Sequence, residues 1–166
     1  MTLLEMIIQK NEGLVFVGSR DLIGELVADI GQDFTPKPRP DHLPQGEAKN
    51  CFQNATDLSL DSEDNLRYVE GLACSEDIPF PIHHAWVIDE NDKVIDPTWN
   101  NPENCLYRGI VIERDLLVER MMDSGVYGAF DNGVRIDHDW LIDKLEWQPE
   151  WLLERVRPNV TAMPKP

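Results

Sequence analysis

Three short stretches of this sequence carry side chains that could act together as a nucleophilic centre. Cys51 lies in the stretch Asn-Cys-Phe-Gln-Asn, His84 in His-His-Ala-Trp, and Asp96 in Asp-Pro-Thr-Trp. A thiol nucleophile needs a lowered pKa, a base within hydrogen-bond reach, and a group that holds the base in one tautomer. The sequence therefore predicts thiol chemistry, with Cys51 as nucleophile, His84 as general base and acid, and Asp96 as the orienting carboxylate.

The elements around these residues can position them. A helix predicted over residues 49–60 places Cys51 near its start, where unpaired N–H groups and the helix dipole favour a thiolate and could stabilise an oxyanion. Strands predicted at 82–89 and 94–96, joined by a turn at 90–93, form a hairpin that carries His84 and Asp96. In this hairpin the two side chains are expected to be diagonal neighbours rather than direct partners.

The rest of the chain predicts an α+β domain with helices before and after a central antiparallel sheet. The spacing of apolar residues predicts helices at 2–10, 20–30, 113–122, 137–145 and 149–156, and strands at 13–18, 67–74 and 107–112. Residues 32–46 contain four prolines and are expected to run extended along the surface. The tail at 158–166 is expected to be flexible.

The combination of His-Ala-Trp at residues 84–86 with Asp-Pro-Thr at 96–98, preceded by Cys51, resembles transglutaminase-like proteins of the papain-like superfamily. The resemblance covers residues 45–110, about 40% of the chain. It implies a papain-like fold, in which a helix bearing the cysteine packs on an antiparallel sheet that carries the histidine and aspartate. It also implies a Cys51–His84–Asp96 triad, in a family that contains transglutaminases, peptidases, amidases and inactive scaffolds.

The resemblance adds candidates for the oxyanion and substrate contacts. Gln45 lies six residues before Cys51, the separation found in papain-like enzymes for the glutamine of the oxyanion hole, and Asn50 or Gln53 could serve instead. Trp86 could pack beside the imidazole of His84 and exclude water, or it could belong to the core alone. The implied organisation is a single domain over 1–157, with an N-terminal helical extension (1–44), a catalytic core (45–112) and C-terminal helices (113–157).

A metal site is the main chemical alternative near these residues. His83, His84, Cys51 and Asp96 are all zinc-ligand types, but adjacent histidines of a strand point to opposite faces and cannot easily share one ion. The sequence contains no glycine-rich nucleotide-binding loop. We therefore expect neither a metal nor a cofactor.

The charge of the chain restricts its partners. The sequence has 31 acidic and 15 basic residues, a formal net charge of −16, which disfavours binding to nucleic acid and suits a basic protein, peptide or small amide substrate. No secretory signal or membrane-spanning stretch is evident, and three cysteines without a CxxC pair indicate a reducing compartment, so a cytoplasmic location is expected. The alternative function is a non-catalytic acidic binding or inhibitor protein on the same fold.

Overall fold

The computed structural model describes residues 1–131 and 133–151 of the chain. The described residues form a mixture of helices and strands, which confirms the mixed α/β class. The helices are α1 (Leu3–Phe16), α2 (Leu22–Ile30), α3 (Cys51–Asp61), α4 (Arg114–Ser124) and α5 (His138–Leu145), with a 3₁₀ turn at Pro102–Asn104. The strands are β1 (Gln32–Pro36), β2 (Arg67–Cys74), β3 (Ile82–Ile88), β4 (Lys93–Ile95) and β5 (Leu106–Ile112).

The five strands form one closed sheet in the order β1-β4-β3-β2-β5, and β1 completes the circle by pairing with β5. All neighbouring pairs are antiparallel except β1 and β4, which run parallel. The four predicted strands β2, β3, β4 and β5 pair antiparallel, as expected, and the parallel pair comes from β1, which the sequence does not predict as a strand. Residues 32–36 do not lie along the surface as an isolated segment, because they fill the gap between β4 and β5.

The N-terminal helix is longer than its sequence pattern indicates. A capping box starts α1, in which the N–H of Glu5 donates to the Thr2 hydroxyl and the N–H of Thr2 donates to the Glu5 carboxylate. The helix then continues to Phe16, so the strand predicted at 13–18 is wrong. The apolar run that suggested a strand is not a buried segment, since Phe16 is 91% exposed.

The closed sheet separates two apolar clusters. The inner cluster contains side chains that alternate inward along the strands, such as Val69, Trp86 and Tyr107. The outer cluster joins the other face of the sheet to the helices, and Ala55 and Leu58 of α3 belong to it. This packing fixes α3 against β2 and β3, which is the arrangement that brings the start of α3 close to His84.

The C-terminal helices agree with the sequence pattern where the structure describes them. Helix α4 ends at Gly125, which adopts the left-handed conformation that favours glycine at this position. Helix α5 begins after Asp137, whose carboxylate accepts the N–H of Trp140. The predicted helix at 149–156 extends outside the described residues, and the predicted tail at 158–166 lies wholly outside them. Within the described part of the chain, every helix is too short or too polar to cross a membrane.

Candidate active site

The nucleophile candidate occupies the first residue of α3. Cys51 is 8% exposed, and the preceding Asn50 makes no side-chain capping hydrogen bond to the helix. The N–H groups of a first helical turn have no partner within the helix, so they point their positive ends toward the thiol. This position leaves the backbone N–H of Cys51 available to a developing oxyanion.

The β3–β4 hairpin brings His84 and Asp96 together. The imidazole Nε2 of His84 lies 2.8 Å from Oδ2 of Asp96, and both side chains are almost fully buried. The pairing of Val87 with Ile95 places Asp96 across from Trp86, so Asp96 is the diagonal neighbour of His84, as the hairpin predicts. The side chains of His84 and Asp96 therefore meet diagonally across the hairpin, although the two residues are not directly paired.

The Asp-Pro-Thr turn fixes the orienting carboxylate. The Oδ1 atom of Asp96 accepts the backbone N–H of Thr98 at 2.7 Å and that of Trp99 at 3.1 Å. Burial alone would raise the pKa of Asp96, but its hydrogen bond to His84, the charge of His84 and these two N–H groups hold the pKa below its ordinary value. Asp96 is therefore an anion that holds the Nε2 proton of His84.

The electrostatics of His84 connect it to the thiol. Burial alone would lower its pKa, but hydrogen bonds to Asp96 and Cys51, together with their negative charges, raise the pKa to about 9. Since Nε2 is bound to Asp96, Nδ1 is the nitrogen left for Cys51. A pKa of about 9 keeps His84 protonated at neutral pH, so an imidazolium lies beside the Cys51 thiol.

The structure adds Tyr107 to the residues that contact Asp96. Its hydroxyl donates to Oδ2 of Asp96 at 2.8 Å, the same oxygen that His84 binds. Burial and the charge of Asp96 raise the pKa of Tyr107 far above its ordinary value, so the hydroxyl stays protonated and acts as a donor. Sequence reasoning missed this residue because Tyr107 lies on β5, and only the sheet order brings it to Asp96.

Two tryptophans of the site have different roles. Trp99 is half-buried and its ring stacks on the imidazole of His84, with centroids 4.3 Å apart and planes inclined by 21°. Trp86 has no exposed surface and packs among Phe34 and Tyr107 inside the sheet, 6.2 Å from His84. Trp86 therefore belongs to the core behind the site and also packs beside the imidazole with planes inclined by 25°, whereas the ring of Trp99 lies closer to His84.

The two polar candidates before the nucleophile are exposed. The side-chain amide of Gln45 donates to the carbonyl oxygen of the Asn100 side chain, which uses one of its two N–H donors and leaves the other available. The Asn50 amide donates to the carboxylate of Glu47 at 3.2 Å. Neither side chain makes a hydrogen bond to Cys51 in the described structure, so their assignment to the oxyanion site stays a prediction.

Asn54, one helical turn after the nucleophile, is a further positioning residue that sequence reasoning missed. Its side-chain amide donates to the carbonyl oxygen of Glu47 at 2.7 Å and to the hydroxyl of Thr98 at 3.0 Å. The N–H of Gly46 also donates to the carbonyl oxygen of Pro97. These bonds join the loop before Cys51 to the turn that contains Asp96. The only signal in the sequence is the spacing of three residues that places Asn54 on the same helical side as Cys51.

His83 forms a second pair on the other face of β3. Its Nε2 lies 2.9 Å from Oε1 of Glu70, a carboxylate with no exposed surface. Glu70 also accepts the hydroxyl of Tyr68 at 2.8 Å and the backbone N–H groups of Ala129 at 2.6 Å and Phe130 at 3.2 Å. Burial alone would raise the pKa of Glu70, but the hydrogen bonds and the His83 charge lower it, so Glu70 is ionised.

The two histidines therefore diverge, as adjacent residues of a strand must. Within residues 1–131 and 133–151, no group of three or more histidine, cysteine, aspartate or glutamate side chains is arranged to hold a metal ion. The candidate zinc ligands His83 and His84 are each bonded to a different carboxylate.

No protein-family model, curated protein or solved structure matches this chain. The interpretation of the site therefore depends on its own geometry and chemistry.

Proposed function

We propose that this protein is a thiol-dependent acyl-transfer enzyme that acts on an amide or ester through an acyl-enzyme intermediate. The observation that carries the proposal is that the buried imidazole of His84 is hydrogen-bonded to Asp96 and that Asp96 and Cys51 together raise its pKa. The helix that bears Cys51 and the sheet that carries His84 and Asp96 are also the elements of a papain-like fold, which we propose for this chain.

The first half-reaction forms the acyl-enzyme. The Cys51 thiolate attacks the substrate carbonyl carbon and forms a C–S bond, while the backbone N–H of Cys51 stabilises the oxyanion. As the tetrahedral intermediate collapses, the C–N or C–O bond breaks and His84 gives its Nδ1 proton to the leaving amine or alcohol. Asp96 keeps the imidazole in one tautomer throughout, and Trp99 shields it from water.

The second half-reaction releases the product. Water or an amine attacks the thioester carbonyl, and His84 takes a proton from this nucleophile. The C–S bond then breaks and the Cys51 thiolate is restored beside the imidazolium. With water the enzyme is a peptidase or amidase, and with an amine it is a transglutaminase.

The test is the pH dependence of alkylation by iodoacetamide between pH 4 and 9, with the labelled cysteine located by peptide mapping. We expect Cys51 to react well below the ordinary thiol pKa of about 8.5. His84→Ala should lower the rate at pH 6 by about 100-fold, because an ordinary thiol is less than about 1% ionised there.

The chain supplies its own controls. Burial raises the pKa of Cys74 and raises that of Cys105 to about 11, so both thiols should stay unlabelled below pH 8. His42→Ala removes an exposed histidine that pairs with Asp64, and it should leave the profile unchanged. A Cys51 that is inert, or that reacts with an ordinary thiol pKa insensitive to His84→Ala, would refute the enzyme and favour the acidic binding protein.

A further inference from the structure

A small cavity of about 240 Å³ adjoins the proposed active site. It lies between the loop that follows β2 and the turn that follows β4. The residues that line it include Ser75, Asp77, Trp99, Asn100 and Asn101. Its volume suits one side chain of a substrate rather than a large ligand.

Two of the residues that line the cavity contact members of the proposed triad. Trp99 stacks on His84, and the N–H of Trp99 donates to Asp96. Thr98, which also lines the cavity, donates its N–H to the same carboxylate oxygen. A substrate group in this cavity would therefore lie against residues that directly contact the proposed catalytic base and its orienting carboxylate.

The residues that line the cavity favour a positively charged group of a ligand. Asp77 is the charged side chain among the lining residues, and none of them in the described part of the chain is basic. Asp77 is exposed, and it makes no hydrogen bond or ion pair with the described residues, so its carboxylate is free to pair with a ligand. Trp99 adds an aromatic ring of the type that attracts cations, and Asn100 and Asn101 add amide oxygens.

We propose that this cavity is the subsite for a basic side chain of the substrate, a primary ammonium or guanidinium group close to the scissile carbonyl. The inference rests on the proposed function, because it names the substrate class of the same site. The net charge of −16 acts in the same direction, since it attracts basic substrates to the whole surface. Asp77 then binds the attracted basic group at a specific position beside Trp99.

The experiment compares two affinity labels that differ in one charge, the chloromethyl ketones of N-acetyl-lysine and N-acetyl-norleucine. The second-order rate of Cys51 modification is measured by intact mass and peptide mapping. We expect the lysine reagent to react at least about fivefold faster than the norleucine reagent. Asp77→Asn should reduce that ratio by about threefold, the effect expected of one partly exposed ion pair.

Glu76→Gln is the matched control, because Glu76 is an adjacent exposed acid that does not line the cavity. It changes the net charge by the same amount and should leave the ratio nearly unchanged. A ratio near one, or an equal fall in both variants, would overturn the subsite even if both reagents label Cys51 rapidly. If neither these reagents nor iodoacetamide labels Cys51, the enzyme proposal fails and the subsite fails with it.

Discussion

Two histidine–carboxylate pairs of similar geometry lie on opposite faces of β3, and their surroundings differ. His84 binds Asp96 at 2.8 Å and is 2% exposed, whereas His83 binds Glu70 at 2.9 Å and its side chain is 25% exposed. In both pairs the Nε2 atom is bonded to a carboxylate that has no exposed surface. The residue types alone therefore do not distinguish a catalytic pair from a structural one.

The remaining partners of each carboxylate make the distinction. Asp96 accepts two N–H groups from its own turn, which fix it locally, and the hydroxyl of Tyr107 from β5, and it leaves His84 free to face Cys51. Glu70 accepts N–H groups from Ala129 and Phe130, about 60 residues away in the sequence, so it joins β2 to a C-terminal loop. The comparison indicates that one pair organises a thiol and the other holds a distant segment on the sheet.

The largest expected effect is on the alkylation rate of Cys51, which should depend on Asp96 and not on Glu70. Asp96→Asn should lower the rate of Cys51 alkylation at pH 7 by about 10- to 30-fold, because an amide cannot stabilise the imidazolium or fix its tautomer and an ordinary thiol is about 3% ionised at that pH. Glu70→Gln should keep the rate within about threefold of the unsubstituted protein. Equal losses in the two variants, measured by iodoacetamide labelling of folded protein, would show that the two pairs are not functionally distinct.

The second prediction concerns stability, and here the effect is expected at Glu70. Glu70→Gln should lower the free energy of unfolding by about 2–4 kcal/mol, because it removes a buried anion that is bonded to four donors. Urea unfolding measures this change. Tyr68→Phe is the matched control, since it removes one of the four donors and should cost only about 1 kcal/mol.

The same variant should alter acid unfolding. The folded pKa of Glu70 lies below its unfolded value of 4.5, so the unfolded state binds more protons as the pH falls through this range. The stability that ionised Glu70 contributes is present above pH 4.5 and is lost as the pH falls below it. Glu70→Gln should therefore flatten the acid limb of the stability profile, and an unchanged limb would contradict the assignment of Glu70 as a stabilising anion.

The smallest effect concerns Tyr107. Tyr107→Phe keeps the buried ring but removes the hydroxyl that shares Oδ2 of Asp96 with His84. The carboxylate should then hold the imidazolium more strongly, so the pKa of His84 should rise above about 9, which an NMR titration of the imidazole measures. The rate of Cys51 alkylation at pH 7 should change by less than about tenfold. An unchanged pKa of His84 would make Tyr107 a packing residue only.

Local patterns predicted the parts of this molecule that depend on neighbours in sequence. The apolar run at 67–74 predicts a strand, and the turn at 90–93 predicts the hairpin that carries His84 and Asp96; the structure confirms both. The diagonal relation of His84 to Asp96 also follows from hairpin geometry. These features need no knowledge of the rest of the fold.

Features that depend on distant pairing could not be predicted in this way. Residues 32–36 have no strong strand pattern, and their place in the sheet is determined by β4 and β5. Tyr107 and Glu70 resemble ordinary strand residues until the order of the strands shows what they contact. The error at residues 13–18 has a local cause, because a short apolar run between glycines fits an exposed helix end as well as a strand.

Because His83 and His84 are adjacent in β3, the pairing register of this strand determines which of the two imidazoles faces Cys51. A shift of β3 by one residue against β2 would turn every side chain of the strand to the opposite face. The imidazole then presented to Cys51 would be that of His83, and Trp86 would leave the interior. A shift in register would thus exchange the positions of the two histidines without a change in either residue.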